Sequence, residues 1–309
     1  MQRRLPWFAV GVFLLLLSKF AGAQEYSWTE IVIPGATVSN VFGLNDKGQT
    51  AVTLTDGTAG IYGDGIFTPL PPPPQGISGV GARGINNDGV ITGPAYTAAG
   101  GEQGYILRGS MYTLFARPGW DFTEPRAIAN SGLITGGTNT GSTYAGFIYD
   151  PDTDTFTDAT PPGSNVTIAQ GMNTFGRITG NGQDSSLGRY GFVWQQGTIT
   201  KGKRELQPFL VRLKVGNALV RTNARGINDS GLVVGFTTNP DGITGDGFVG
   251  SDARGYRQLV PPGGELPGNY TICEGINNFD QVVCLVGDSA FNPQGAFIGS
   301  PPKGESDAH

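Results

Sequence analysis

The 309-residue sequence is short of the side chains that most enzymes use to move protons or bind metals. It has one histidine, His309, at the last position, and two cysteines. This excludes a Ser-His-Asp arrangement, a Cys-His pair and a zinc site that needs several histidines. No phosphate loop or dinucleotide fingerprint is present, because the glycines belong to hairpins. We therefore predict no catalytic residue, no metal site and no cofactor, and only chemistry through paired carboxylates stays open.

Charged residues are also scarce, and acidic ones outnumber basic ones. They make up 15% of the chain, and the formal net charge is -5 at pH 7. A protein that binds nucleic acid needs a basic face to neutralise phosphates. The charge balance therefore argues against a nucleic-acid partner.

Apolar runs are missing except at the N-terminus. There, Leu5–Leu17 follows the basic Met1–Arg4 and is too short to span a bilayer as a helix. The small residues Ala21–Ala23 complete the pattern of a signal peptide over residues 1–23, cleaved before Gln24. A retained anchor is the alternative. We predict a secreted, extracellular or periplasmic protein without a membrane span after cleavage.

Glycine is abundant, with 51 residues, and much of it lies in a repeated motif. The clearest copy is Gly84-Ile85-Asn86-Asn87-Asp88-Gly89. The copies start 41 to 55 residues apart, a period typical of a propeller or another repeat array. Together with the lack of helical periodicity, this predicts an all-β fold. Further copies begin at Gly43, Ala127, Gly171, Gly226 and Gly275.

Each unit has the pattern of four antiparallel strands joined by tight turns. The Asn-Asp-Gly cluster suits a reversal, since Gly, Asn and Asp tolerate a positive φ best. Four short antiparallel strands followed by a longer link are the form of one propeller blade. In the second unit the predicted strands are Val80–Asn86, Val90–Tyr96, Gly104–Leu107 and Met111–Phe115.

The chain ends complement each other. The last unit stops after its third strand, near Ile298, and Trp28–Pro34 resembles a fourth strand. We therefore predict a single six-bladed β-propeller over residues 24–302, in which the N-terminal strand, residues 28–34, completes the sixth blade. An open solenoid is the alternative. Residues 303–309 are predicted to be a disordered tail.

The two cysteines predict a cross-strand disulfide. If Asn278 and Phe279 form a two-residue turn, Cys273 and Cys284 face each other as a hydrogen-bonded pair, with Cα atoms about 5.5 Å apart. An exported protein with just two cysteines is expected to join them. Two unpaired thiols are the alternative.

The units resemble those of the extracellular HAF-repeat family. Its repeats contain Gly-Ile-Asn, two variable residues and Gly, with a His-Ala-Phe-apolar-Trp strand downstream. Tyr190–Trp194 and Ala145–Tyr149 match the second half, although the family's histidine is absent from every copy. The resemblance covers essentially the whole mature chain and implies an exported propeller-like repeat protein. It carries no biochemical activity over, because the family has none that is established.

The fourth unit departs from the pattern through a basic insertion. The insertion spans Lys201–Arg221 and includes the apolar stretch Phe209–Val211. In an acidic protein such a patch suits an acidic glycan or a protein partner, and a longer strand pair with a solvated face is the alternative. The candidate partner patch consists of Lys201, Lys203, Arg204, Arg212, Lys214, Arg221 and Arg225.

Two sets of acidic residues are weaker candidates. Asp150–Asp154 has alternating carboxylates that suit calcium, but it lacks the glycine and the distal glutamate of an EF-hand loop, and we interpret it as a hairpin turn. We interpret Asp46, Asp88 and Asp229 as turn residues, with a cation or ligand role as the alternative. The repeat asparagines are interpreted as turn caps: Asn45, Asn86, Asn173, Asn228 and Asn277.

These observations favour a binding or scaffold module with a glycan or protein ligand. One alternative is an enzyme that acts on polysaccharide through two carboxylates from different blades. The other is a lectin-like module in which an exposed aromatic side chain stacks on a sugar. Most aromatics at strand positions are expected in the core. The candidates for stacking are Tyr96, Trp120, Tyr144 and Trp194.

Overall fold

The computed structural model describes residues 25–141, 143–184, 188–195, 209–212, 221–238 and 245–302, and these residues form an all-β structure. The predicted all-β class is confirmed. No helix within the described ranges is long and apolar enough to cross a membrane. The predicted signal peptide and the C-terminal tail lie outside the described residues.

The strands pair antiparallel within six groups, which we number as repeats one to six, and β1 (Ser27–Glu30) precedes them. Single parallel pairs, Glu102 with Phe122 and Tyr144 with Val166, join repeats two, three and four into one 13-stranded sheet, whereas repeats one, five and six belong to separate four-stranded sheets. Repeat one holds β2 (Val38–Leu44), β3 (Thr50–Leu54), β4 (Ala59–Gly63) and β5 (Ile66–Pro69). Repeat two holds β6 (Ile77–Val80), β7 (Gly84–Ile85), β8 (Ile91–Thr97), β9 (Glu102–Arg108) and β10 (Met111–Phe115). Repeat three holds β11 (Phe122–Ile128), β12 (Ile134–Thr140), β13 (Thr143–Asp150) and β14 (Thr155–Asp158). Repeat four holds β15 (Val166–Met172), β16 (Ile178–Asp184), β17 (Gly188–Gln195) and β18 (Phe209–Arg212). Repeat five holds β19 (Arg221–Ile227), β20 (Val233–Thr238), β21 (Gly245–Ser251) and β22 (Gly255–Leu259). Repeat six holds β23 (Tyr270–Ile276), β24 (Val282–Gly287) and β25 (Pro293–Ser300).

Repeat two differs from its predicted first strand. The expected Val80–Asn86 is split into β6 and β7, which both pair with β8. Pro94 lies on the facing strand and has no N–H, so it cannot donate to the ladder at this point. The backbone bonds from Gly81 N to Pro94 O and from Arg83 N to Thr92 O still hold the two strands together.

The hydrophobic core lies between repeats. In the part of the chain that the structure describes, six clusters of buried and partly buried apolar side chains each join two repeats that are neighbours in order, or repeat six and repeat one. The cluster of repeats six and one includes Val52, Tyr62 and Val283. Each repeat thus buries apolar side chains against the next repeat. A single layer of strands has no partner against which to bury its apolar face.

The N-terminal strand pairs with the last strand of the chain. In β1, Trp28 faces Gly299 of β25, and the pairing is antiparallel. One further backbone bond, from Ile31 N to Ala296 O, extends it. The pairing that the complementary ends predict is therefore present. The strand is shorter than the predicted range, because β1 ends at Glu30.

The disulfide is confirmed, but the turn that predicted it is wrong. Cys273 and Cys284 are joined, with Cα atoms 4.0 Å apart. The chain reverses over a longer loop, in which Asn277 N donates to Gln281 O, and Ile276 is already paired with Val282. A bulge between Cys273 and Gly275 then shifts the register by one residue. The separation is that of a close, non-hydrogen-bonded pair rather than the wider pair that we expected.

Every first strand turns into the second through the same type of loop. In repeat two, Asn86 Oδ1 accepts the backbone N–H groups of Asp88 (3.1 Å) and Val90 (3.0 Å), and Gly89 has a φ of 74°. A side chain is costly at such a φ, which explains the glycine. In repeat six Asp280 takes this position, with a φ of 58°. The predicted turn-capping role of the asparagines is confirmed.

The same asparagines link neighbouring repeats. Each is buried, and its Nδ2 donates to a backbone carbonyl of the next repeat, so its amide is satisfied away from water. Ala129 has no amide, which leaves repeats three and four without this bond. The bonds run from Asn45 to Asn86 (3.0 Å), Asn86 to Ala129 (3.4 Å), Asn173 to Asn228 (3.1 Å), Asn228 to Asn277 (3.1 Å) and Asn277 to Asn45 (3.0 Å).

The glycine that opens the motif permits close approach between first strands. A Cβ atom on Gly171 would lie 2.4 Å from the carbonyl oxygen of Arg225, and one on Gly275 would lie 2.6 Å from that of Phe42. Neither contact is sterically allowed, so no larger residue fits there without backbone movement. The motif therefore encodes the packing of repeat against repeat as well as the turn.

Candidate ligand-binding site

The first strands of all six repeats line one narrow cavity of about 80 Å³, which has room for only a few water molecules. At one end of these strands lie the asparagine loops, which we call the turn end. Toward the other end of these strands, each repeat has a different residue directly before the repeat glycine, or before Ala127, which replaces the glycine in repeat three. We call this end of the strands the variable end. Its residues are Phe42, Arg83, Arg126, Gln170, Arg225 and Glu274.

Ion pairs connect the arginines of the variable end. Glu124 accepts from Nη2 of Arg126 at 2.7 Å and from Nη2 of Arg83 at 3.4 Å. Nε of Arg225 lies 3.6 Å from Glu274 Oε1, too far for a good hydrogen bond. Burial lowers the pKa of Arg83 and of Arg225, although both guanidinium groups stay charged at neutral pH.

Aromatic rings support two of these guanidinium groups. Arg83 lies 4.1 Å above the ring of Phe42, and Arg225 lies 5.3 Å from the ring centre of Phe236. Such cation–π contacts fix the plane of the guanidinium as well as stabilise it. The donors of these arginines are thereby held in one orientation.

Glu102 adds a titratable carboxyl at the start of β9. Burial raises its pKa to about 7, and the nearby carboxylate of Glu124 adds to the rise, against the opposing effect of Arg126 and Arg83. Its Oε1 atom is buried and has no hydrogen-bond partner among the described residues. The group is therefore partly protonated at neutral pH.

A larger cavity of about 400 Å³ opens beside the narrow one, between repeats four and five. Its volume lies in the range of small-molecule sites. Three arginines and four side-chain amides line it, together with the apolar side chains of Val166, Ile168 and Phe236. The lining comprises Arg126 of β11; Val166, Ile168 and Gln170 of β15; Asn181, Gly182 and Gln183 of β16; Arg189 of β17; Asn223 and Arg225 of β19; and Phe236 and Thr238 of β20.

Polar atoms without partners collect in this cavity, which we call the arginine cavity. Within the described ranges, Nε of Arg126, Nε of Arg225 and Oδ1 of Asn181 are buried and make no hydrogen bond. A buried polar group without a hydrogen-bond partner lowers stability by about 1–3 kcal/mol, and such groups are therefore rare in native proteins. These three atoms belong to residues that line the same cavity.

Of the predicted basic patch, Arg225 lines this cavity in the part of the chain that the structure describes. Arg212 lies in β18 and Arg221 begins β19. Lys201, Lys203, Arg204 and Lys214 lie outside the described residues. The structure therefore gives no test of the patch as a surface.

The acidic candidates have structural contacts. Asp46 Oδ1 accepts the backbone N–H of Asn278 (2.8 Å), and Asp229 Oδ1 accepts that of Thr174 (2.8 Å), so both link neighbouring repeats. Asp88 is a turn residue as predicted, but it lies at a different position of the loop from Asp46 and Asp229. The residue that faces Asp46 in repeat two is Asn87, whose Oδ1 accepts the N–H of Asp46, and Asp88 lies one position further along.

Asp150–Asp154 forms the predicted turn between β13 and β14, where Tyr149 donates to Asp154. Trp194 is core, with 7% of its surface exposed, as expected for most aromatics. Tyr96 and Tyr144 are exposed, and Trp120 lies under the guanidinium of Arg117.

Most residues of the arginine cavity were not predicted from the sequence. Arg126, Gln170 and Arg225 occupy the same position of their repeats, directly before the motif. A register of the repeats extended one residue upstream would have shown a variable polar position there. Arg189 and Asn181 have no such signal, because only the pairing of β16 and β17 brings them to the cavity.

No protein-family model matches the sequence, and no curated protein matches it significantly. Solved structures of β-propeller proteins are similar to this chain at 10% sequence identity. Virginiamycin B lyase from Staphylococcus aureus has a TM-score of 0.46, and the match covers 91% of this chain and 90% of the lyase chain. A mutant of the Aleuria aurantia lectin AAL, in complex with Fucα1-6GlcNAc, has a TM-score of 0.47, covering 89% and 100%. TolB from Acinetobacter baumannii has a TM-score of 0.48, covering 86% and 55%. At these values the likeness assigns no ligand, activity or residue role to this chain.

Proposed function

We propose that this protein is an exported, six-bladed β-propeller that acts as a ligand-binding module. The pairing of β1 with β25 supports closure, as do the cluster between repeats six and one and the bond from Asn277 to Asn45. Export is supported by the N-terminal pattern, and a disulfide is compatible with it. Membership of the HAF-repeat family stays part of this proposal and rests on the repeated motif.

Closure is tested by removing the N-terminal strand. Without residues 24–40 the sixth blade loses its fourth strand and repeat one loses the start of β2, so a large fall in Tm is expected. Removal of the predicted tail, residues 303–309, is the control and should leave Tm unchanged. Equal Tm values for both truncations would contradict a closed ring.

The arginine cavity is the proposed ligand site. One observation carries this proposal: the 400 Å³ cavity is walled by three arginines and holds three buried polar atoms that lack partners among the described residues. Catalysis is not needed to explain such a site, since donors and acceptors at fixed positions suffice for recognition.

A blocking substitution tests the location of the site. Asn223→Trp places an indole in the arginine cavity, whereas Asn40→Trp changes the equivalent residue of repeat one, where it is exposed. The mature protein is screened by thermal shift against acidic and neutral mono- and disaccharides, inorganic phosphate and sulfate, and short acidic peptides. We expect a compound that stabilises the wild type and Asn40→Trp but not Asn223→Trp. A panel without any stabilising compound, or equal stabilisation of all three proteins, would contradict the site.

A second candidate function is cleavage of polysaccharide through paired carboxylates. Glu102 of repeat two, with a pKa of about 7, lies near enough to Glu124 of repeat three for their charges to interact. A carboxyl with a raised pKa beside a second carboxylate is the arrangement that glycosidases use. Release of reducing ends from polygalacturonate and xylan, lost in Glu102→Gln, is the test. No release by the wild type would exclude this function for these two substrates.

A further inference from the structure

We infer that the ligand of the arginine cavity is a uronic acid, a sugar that carries a carboxylate, as one or two units of an acidic glycan. This inference rests on the proposed function, which makes the cavity the ligand site. Three buried polar atoms of the lining residues make no hydrogen bond among the described residues, and the ligand is expected to offer groups that match them.

The free donors favour a carboxylate. Arg126 uses Nη2 for Glu124, whereas its Nε is buried and has no hydrogen-bond partner among the residues described. Nε of Arg225 also makes no hydrogen bond, although it forms an ion pair with Glu274 Oε1 at 3.6 Å. The Nε edge of a guanidinium offers two parallel N–H donors, which match the two oxygens of a carboxylate. Glu124 and Glu274 offset two positive charges, and Arg189 adds a third arginine to the wall.

The acceptor without a partner argues against an anion that has no hydrogen-bond donor. Oδ1 of Asn181 accepts no hydrogen bond in the described structure, and an acceptor needs an O–H or N–H from the ligand. Sulfate has no such donor at neutral pH. The ligand must therefore carry hydroxyl or amide donors beside its anionic group.

The remaining wall favours a sugar over a peptide. Gln170, Gln183 and Asn223 add amides that both donate and accept, as pairs of neighbouring hydroxyls require. Val166, Ile168 and Phe236 give the apolar contact for the C–H face of a ring. A peptide would bind best along a free strand edge, but β16 and β20, which supply five of the lining residues, are each paired on both sides.

The test is calorimetric titration of the mature protein with disaccharides of glucuronic, galacturonic and mannuronic acid, each beside its neutral hexose counterpart. We expect at least one acidic sugar to bind at least tenfold more tightly than its neutral counterpart, a difference of about 1.4 kcal/mol. Binding should weaken as the NaCl concentration rises. Sulfate, phosphate and a Glu-containing tripeptide complete the panel.

Two substitutions connect the binding to the cavity. Arg189→Gln should weaken binding of the acidic sugar at least tenfold, whereas Arg108→Gln, the same change at an exposed site in β9, should not. Asn181→Leu removes the free acceptor, so it should weaken both the acidic sugar and any neutral one without lowering Tm. A merely structural asparagine would lower Tm instead.

The outcomes separate the inference from the proposed function. If a neutral sugar, phosphate, sulfate or the acidic peptide binds best and Asn223→Trp abolishes that binding, the uronic acid is wrong and the ligand site stands. If an acidic sugar binds equally well to the wild type and to Asn223→Trp, both are wrong. If no member of the panel binds, the inference is overturned, and the thermal-shift screen decides on the site.

Discussion

The two ends of the first strands follow opposite rules. At the turn end, the asparagine loop recurs with the same hydrogen bonds from repeat to repeat, and only Ala129 breaks the series. At the variable end, a few residues upstream on the same strands, the equivalent position holds an aromatic residue, three arginines, an amide and a carboxylate. One end is uniform and bonded from repeat to repeat, and the other is diverse and keeps unsatisfied atoms.

This difference separates what builds the fold from what gives it a ligand. A position that must satisfy a neighbour's backbone in each repeat has one chemical solution, so it recurs. A position that faces a central cavity is free to differ in each repeat. Changes at the turn end are therefore expected to cost stability, and changes at the variable end to cost binding with little effect on stability.

The largest loss of stability is expected from Asn228→Ala at the turn end. Its Oδ1 accepts Leu232 N, and its Nδ2 donates to Asn277 O and, at 2.7 Å, to Asp280 Oδ1. Alanine leaves these buried groups without a partner, at roughly 1–3 kcal/mol each before relaxation. We expect the free energy of unfolding in urea to fall by about 3 kcal/mol.

Asn292→Ala is the matched control, because Asn292 makes its bonds to Asp288 in an exposed turn. Its loss should stay below about 0.5 kcal/mol. A loss for Asn228→Ala no larger than that of the control would remove the distinction between uniform and variable positions.

The disulfide is the next largest contribution at the turn end. It closes a loop with a sequence separation of 11 residues in the hairpin of β23 and β24. Chain entropy gives about 2–3 kcal/mol for a loop of this size. The wild type should unfold at lower urea in the presence of a reductant, whereas Cys273→Ala/Cys284→Ala should unfold at the same urea with or without it. A wild type that is insensitive to reductant after full unfolding and refolding would contradict this contribution.

The turn end is also the part that the sequence predicted well. The Gly-Ile-Asn motif and its spacing sufficed for the strand order, since each loop satisfies its own backbone within a few residues. The Cys273 and Cys284 pair was predicted correctly from a turn that does not exist, because a bulge compensated for the longer loop. Local patterns do not reveal bulges, which follow from packing between repeats.

The arginine cavity could not be predicted, because its walls come from three repeats. Arg126, Asn181 and Arg225 are far apart in sequence, and none stands in a motif that marks a site. Their shared property, unsatisfied buried atoms, exists only once the repeats are packed. The sequence indicated Arg225 for its charge in a basic patch rather than for its place beside the repeat motif.

Introducing the missing asparagine into repeat three tests whether the turn-end bonds add stability. Ala129 stands where the other repeats have Asn, and in the described structure the buried hydroxyl of Ser131 has no partner. The equivalent Ser230 donates to Asn228 at 2.9 Å. Ala129→Asn should supply this acceptor and the loop bonds, raising the free energy of unfolding by about 1 kcal/mol. The control is Ala290→Asn in an exposed turn, which should gain nothing, and a gain equal to the control would show that repeats three and four do without the link.

The smallest stability effect is expected beside the variable end, from Glu102→Gln, whose carboxyl interacts with Arg126 and Arg83. The pKa of Glu102 is about 7 in the folded protein, whereas an unperturbed glutamate carboxyl has a pKa near 4.5. Between these values the native state binds more protons than the unfolded state, so stability falls as pH rises and the cost is complete above pH 7. Because Glu102 is only half-buried, we expect this cost to lower the free energy of unfolding by less than about 1 kcal/mol.

Glu102→Gln should therefore be more stable than the wild type at pH 8 and equal to it at pH 4, measured by urea unfolding. Glu265→Gln, which changes an exposed carboxylate, should show no such crossover. A pH-independent difference would mean that Glu102 acts through packing, and the variable end would then contribute to the fold as the turn end does.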